Sequence, residues 1–208
     1  MLVSIIASKG GVGKSTIASN LLVAARLQGI DAVGVDLDHQ AGLKLWADIR
    51  QERERDPAVP ILTGRLSGWR EAVPDCPLAI VDTPPGLEGE DTVAAVRELA
   101  TSSDLVLMPV PAEEHSVMLL GGPAKVLAEM NVPIVAVLNR VMRNAVILPE
   151  IRAFLAERAE LCPIEVRLLV GFQKALGRGL GVIEDPRLGG DQDVAALWAF
   201  VAGRLGVA

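Results

Sequence analysis

The chain has 208 residues, half of them hydrophobic, a formal net charge of −6, no tyrosine and 3% aromatic residues. That suffices for one sizeable core, excludes a wholly basic nucleic-acid surface and leaves little for base stacking. Its longest apolar runs are strand-length, well short of the roughly 20 residues that cross a bilayer, and Cys76 and Cys162, far apart and each followed by proline, form neither a disulfide framework nor paired metal ligands.

These limits predict one domain over residues 1–208 with two buried thiols. Met1 leads straight into the first apolar run, without a charged leader or cleavage site, so the cytoplasm is the expected location.

Leu2 to Ala7 is apolar throughout, as expected of a parallel strand buried on both faces. Lys9-Gly10-Gly11-Val12-Gly13-Lys14-Ser15-Thr16 follows, and Ile17 to Leu27 then reads as a helix ending near Gly29. Counted from Gly10, the spacing is shorter than that of the generic phosphate loop. Bare backbone at Gly10, Gly11 and Gly13 can curl around an anion and aim successive N–H groups at it, with the helix adding its positive end. Lys14 then reaches the β- and γ-phosphates of ATP, and the Ser15 hydroxyl ligates Mg²⁺. A second lysine, Lys9, stands ahead of the glycines. K-G-G-x-G-K-[ST] resembles the deviant Walker A signature of the ParA/MinD family of dimeric ATPases. The resemblance implies that Lys9 crosses a dimer to the partner's phosphates. A glycine-rich turn carrying two solvated lysines is the alternative.

Ala32 to Val35 resumes a strand, and Asp36 and Asp38 follow at alternate positions, which point the same way at a strand tip. Asp36-Leu37-Asp38-His39-Gln40 is similar to the family's D-x-D-P-Q segment, with His39 in place of proline. By that resemblance Asp38 positions the attacking water and Asp36 supports the metal. The alternative is a capping pair for a helix over Ala41 to Ile49. The charge run from Arg50 to Asp56 reads as a solvated helix end. A short strand is expected within Pro57 to Gly64, and a small helix carries Trp69.

Leu78 to Asp82 is apolar up to its terminal aspartate, and Thr83-Pro84-Pro85-Gly86 follows. A carboxylate there suits a Walker B metal site, and Gly86 is placed to offer its N–H to the γ-phosphate, unless the stretch is only a capped turn. D-T-P-P-G resembles the family's second switch. Asp91 to Ala100 reads as a helix and Leu105 to Val110 as a strand broken at Pro109. Pro109 to Glu114 matches in outline a family segment at the dimer face, making Glu113, Glu114 and His115 candidate interface groups or first-turn charges of a helix from Ser116.

Pro133 to Leu138 is the next expected strand. By resemblance, Asn139 after it reads the adenine edge, with a simple turn as the alternative. Pro149 to Glu160 is predicted helical and Ile164 to Leu169 the last strand. Gly171 to Glu184 then resembles the loop and helix of short ParA proteins, R-x-x-[YF]-x-x-A-x-x-x-G-x-x-V-x-E, with Leu169 where the arginine stands. The basic residues Arg167, Lys174 and Arg178 are by resemblance DNA contacts without sequence preference; three cations in twelve residues also suit a solvated loop. A helix from Asp191 or Gln192 to Leu205 closes the chain, with Val194, Leu197, Trp198 and Val201 on its apolar face and Arg204 as the one cation on the other.

The expected fold is α/β, a P-loop NTPase with a mostly parallel sheet and helices on both faces. Nothing precedes the first strand, so the helix-turn-helix of larger partition ATPases is not expected. The resemblance implies an ATP- and Mg²⁺-dependent homodimer, a weak ATP hydrolase on nucleoid DNA, stimulated by a ParB-like protein or cargo adaptor, positioning a plasmid, chromosome or protein cluster. Alternatives are a dethiobiotin synthetase-like enzyme and a MinD-like membrane-cycling regulator.

Overall fold

Strands built from Val, Ile, Leu and Ala on both sides are stable only between two layers of helices. In the computed structural model, which describes residues 1–86, 89–112, 134–142 and 145–207, these runs form β1 (Leu2–Ile5), β2 (Ala32–Asp36), β3 (Ile61–Thr63), β4 (Leu78–Asp82), β5 (Leu105–Pro111), β6 (Ile134–Asn139) and β7 (Glu160–Leu161). They make one sheet in the order β3-β2-β4-β1-β5-β6-β7, every pairing parallel. The helices are α1 (Lys14–Leu27), α2 (Gly42–Glu52), α3 (Trp69–Ala72), α4 (Glu90–Ser102), α5 (Leu148–Ala156), α6 (Val170–Leu176) and α7 (Asp191–Leu205). Glu113, Glu114, His115 and the helix expected from Ser116 lie outside the described residues.

The two-residue side-chain period sorts each strand between the layers. Val3, Ile5, Leu107 and Val137 pack with Leu21 and Leu22 of α1 and Trp198 and Val201 of α7. Val106, Met108, Ala136 and Leu138 face the other way, onto Val96 of α4 and Ile151 and Leu155 of α5. Helices therefore cover both faces, as expected. The chain leaves β1 towards β2 on one side and reaches β5 on the other, so the crevice at the sheet's carboxyl edge opens beside β1, where such sheets bind ligands.

Four expectations are corrected. The last strand is β7, not Ile164 to Leu169: Pro163 has no N–H to give the ladder, and the later stretch touches β6 only through bonds such as Val166 N–H to the Leu138 carbonyl, 2.9 Å. Helix α5 accordingly stops at Ala156, and Glu160 joins β7. Pro109 does not break β5, because β1 ends opposite Leu107 and beyond it β5 has a neighbour on one side only.

The third correction is Arg50. Expected on a solvated helix end, it has 2% of its side chain exposed and forms a two-pronged ion pair with Glu184, both N–O distances 2.9 Å. Its remaining donors go to the Pro57 and Gly179 carbonyls, and its guanidinium lies 5.6 Å from the Trp46 ring centre. Of the thiols, Cys162 is buried while Cys76 is only half-buried.

Candidate functional site

Glycines let the chain leave β1, curl and enter α1 within a few residues. Gly11 and Gly13 have φ of 74° and 95°, a backbone region that side chains disfavour. A Cβ at Gly13 would also lie 2.3 Å from the Asn139 amide, so this position requires glycine twice over. Lys14 opens α1 and is buried at 6% exposure, while Lys9 and Thr16 are half-buried and Gly10 is exposed. The glycine loop's backbone and the start of a 14-residue helix meet at the sheet's carboxyl edge, an arrangement that suits an anion.

Asp82, at the end of β4, accepts a 2.5 Å hydrogen bond from the Ser15 hydroxyl on its Oδ2. Its Oδ1 is buried with no hydrogen-bond partner. Burial pushes the carboxyl up to about 7, against the opposing pull of the Ser15 bond and of Lys14, with Asp36 and Asp38 adding repulsion. A buried carboxylate oxygen without a donor is costly unless something positive completes it. The donor set of Ser15 and Asp82 therefore fits a hard cation such as Mg²⁺, which prefers oxygens and shares its shell with phosphate and water. Among the described residues no group of three or more His, Cys, Asp or Glu gathers as a metal site, so such an ion would depend on the nucleotide's own oxygens.

Asp36 lies beside Asp82 in the sheet register, but its carboxylate caps helix α2: Oδ1 accepts the Asp38 N–H at 3.0 Å and Oδ2 the Lys44 N–H at 2.9 Å. Burial, the leading cause, holds it above its ordinary value while these bonds pull the other way. These are the bonds that the capping alternative expects of Asp36. Asp38 Oδ1 accepts the Gln40 N–H at 2.9 Å and lies 3.3 Å from His39 Nδ1. Helix α2 begins against the site, since a Cβ on Gly42 would stand 3.3 Å from the Ser15 hydroxyl.

Two backbone and amide donors are occupied within the protein. The Gly86 N–H goes to the Ala7 carbonyl at 3.2 Å, so giving it to a phosphate requires the switch to turn. Asn139, expected at the base, is buried. Its Nδ2 donates to the Val12 carbonyl at 2.7 Å and its Oδ1 accepts the Arg140 N–H at 2.9 Å. In this structure it braces the loop. A cleft of about 180 Å³ opens alongside, lined by Gly13, Thr16, Asn139, Arg140, Leu169 and Gln173. A larger groove of about 640 Å³ runs between α2 and the Val59–Ile61 stretch, away from these groups and among paired charges such as Lys44 and Asp48.

The Gly171 to Glu184 region is mostly architecture. Phe172, Ala175 and Val182 are core residues, and Gly179 (φ 65°) packs so close that a Cβ would lie 2.4 Å from the Arg50 backbone nitrogen. Glu184 is the partner of Arg50. The motif residues are thus spent on packing, while Lys174 and Arg178 are exposed. Arg167 is exposed too, but Asp193 holds both its backbone N–H and its guanidinium, at 2.9–3.0 Å, which raises its pKa. Sequence reasoning missed Asn20, whose Nδ2 bonds the Thr16 carbonyl and whose Oδ1 takes the Val182 N–H. A lone asparagine within the apolar run Ile17 to Leu27 was the available signal.

Residues 3–182 match the family model for the CobQ/CobB/MinD/ParA nucleotide binding domain. Over 111 residues, the chain is 32% identical to maintenance of carboxysome distribution protein A of Gloeobacter kilaueensis, a match covering 53% of this chain and about half (49%) of that protein. The fold is similar to that of the septum site-determining protein MinD of Pyrococcus horikoshii, complexed with Mg-ADP: TM-score 0.77, 16% identity, 99% of this chain and 97% of that one. It is also similar to an ATP complex of Cyanothece McdA, with TM-score 0.72, 16% identity and coverage of 100% and 96%.

Proposed function

The chain belongs to the CobQ/CobB/MinD/ParA nucleotide-binding family, and from that premise we propose that it is a Mg²⁺-ATP-driven dimerisation switch that positions a cargo. The observation that carries this reading is the unpartnered Asp82 oxygen beside Ser15, at the foot of a glycine loop preceded by Lys9. ATP binds with its phosphates in the loop, against Lys14, and its base toward the cleft beside Asn139. Mg²⁺, when bound, neutralises phosphate charge, and Ser15 and Asp82 are the residues to hold it. Lys9 of each copy reaches the other's triphosphate, so two copies close only when both are loaded. Asp38, once freed from its local turn, orients the attacking water, and a partner protein speeds this slow step.

The carboxysome distribution relative favours a protein assembly as cargo over a plasmid. The ATP-bound dimer rides on nucleoid DNA through Lys174 and Arg178, which are exposed and not spent on packing; Arg167 joins them only if released from Asp193. Such contacts give affinity without sequence preference and weaken steeply with salt. Against membrane cycling, which would need several cations on the polar face of an interfacial helix, the one cation on α7, Arg204, is paired with Glu160.

Sizing chromatography with ATP and Mg²⁺ tests the scheme. Lys14→Ala is expected to lose ATP binding and stay monomeric, and Asp38→Ala to bind ATP and remain dimeric because hydrolysis is blocked. An Asp38→Ala protein that stays monomeric at saturating ATP would sink the switch.

A further inference from the structure

Arg140, immediately after β6, has φ of 56° in the left-handed region. The other non-glycine residues described with such a backbone, Ala41 and Glu54, flank α2, and Glu54 stands just past its C-terminus, where left-handed turns are common. Arg140 stands instead at a strand end beside the phosphate loop. A side chain kept in that region needs neighbours that over-determine it, and such positions gather at functional sites. Here two bonds do so: the Arg140 N–H is held by the Asn139 Oδ1 at 2.9 Å, and its Nη1 donates to the Gly11 carbonyl at 3.0 Å.

The next carbonyl along the loop, that of Val12, is taken by the Asn139 amide at 2.7 Å. Two consecutive loop carbonyls are therefore pulled towards β6 by two consecutive residues at its end. In a trans peptide the C=O and N–H point opposite ways. Drawing back the Gly11 and Val12 carbonyls thus turns the Val12 and Gly13 N–H groups to the opposite side of the loop. Gly11, at φ 74°, has no side chain to restrict its backbone, so without a tether its carbonyl could swing round and repel a phosphate.

We propose that Arg140 is a positioning residue of the nucleotide site: its guanidinium holds the Gly11 carbonyl away from the anion so that the Val12 N–H faces it. The proposal rests on the nucleotide reading above. It predicts that the residue acts on the part of the ligand common to ATP and ADP and contributes nothing to folding, because its backbone conformation suits glycine better.

The test is titration of the full chain with fluorescent ATP and ADP analogues, alongside thermal melting without nucleotide, for wild type, Arg140→Gly and Arg140→Lys. Arg140→Gly relaxes the backbone and removes the tether. It is expected to melt no lower than wild type and to bind both nucleotides at least tenfold more weakly, by similar factors. Arg140→Lys, which keeps a cationic donor, is expected to recover part of that loss. Arg140→Gly affinity within twofold of wild type overturns the proposal alone, and a melting temperature that falls in step with affinity overturns it by making Arg140 a structural strap. Wild-type protein that binds neither nucleotide overturns the nucleotide reading and this proposal with it.

Discussion

Asp82→Asn is expected to make the metal-free protein more stable at pH 8 while abolishing its response to Mg²⁺. The Asp82 carboxyl is buried, with one oxygen unpartnered, and its pKa is pushed up from 3.8 to about 7. An acid whose pKa is raised on folding favours the folded state only while neutral. Stability is therefore fully present below the unfolded value and is lost as pH rises from about 4 through 7. Three units at about 1.4 kcal/mol each set the charge's cost above pH 7 at up to about 4 kcal/mol. The amide carries no charge and can still accept the Ser15 hydroxyl, so the variant avoids most of that cost, less whatever its NH₂ loses if unpaired. Urea unfolding at pH 4 and pH 8 measures it: the variant's advantage should be small at pH 4, where even the unfolded carboxyl is still about half protonated, and should grow to about 2–4 kcal/mol at pH 8. An advantage that does not change with pH would refute the argument. In parallel, Mg²⁺ should strengthen ATP binding in wild type and leave the variant unaffected, the expected trade of stability for function at a site kept charged for a ligand.

Arg50→Ala carries the other large effect, in the opposite direction. The side chain has five contacts of 2.7–3.0 Å, to Glu184, Pro57 and Gly179, in a pocket that leaves it 2% exposed. Truncation leaves two carbonyls without their guanidinium donor and the Glu184 carboxylate with the Gly181 N–H, 2.7 Å, in place of its ion pair. Removing one member of a buried pair typically costs about 3–5 kcal/mol, mostly the desolvation of what is left. Chemical denaturation should show a loss in that range, and the double variant with Glu184→Gln should recover part of it, because the stranded charge is then gone. A loss below about 1 kcal/mol, usual for an exposed pair, would show that the bridge is solvated after all.

The two variants bear on different parts of the molecule. Asp82 faces the loop that follows β1; Arg50 and Glu184 fasten α2 to the segment that follows α6. That segment is also held by Trp46 Nε1 through the Leu180 carbonyl and by Asn20 through the Val182 N–H. Since Asn20 bonds Thr16 and the start of α2 at Gly42 packs against Ser15, the anchors on the segment carrying Arg178 lead back to the phosphate loop.

Some of this was written in the chain by itself. The order of apolar runs and glycines determines a parallel α/β sheet, because a strand with no polar face must be covered twice and a strand followed at once by a helix must cross over. The phosphate loop is equally local: three glycines, two lysines and Ser-Thr in eight residues define an anion site before any packing is known. Assignments needing a partner distant in sequence were decided only by the tertiary structure. Asp36 and Asp38 look alike on paper, but the backbone N–H groups of Asp38 and of Lys44 in α2 claim the two oxygens of the first. Arg50 sits in a charge run and is buried because Glu184, 134 residues away, is there to neutralise it. Asn139 reads as a base contact or a simple turn, and Arg140 as nothing in particular, until the sheet brings them against the carbonyls of Val12 and Gly11. A residue's type states which bonds it is able to make; the fold states which of those remain to be made, and only the latter are open to a ligand.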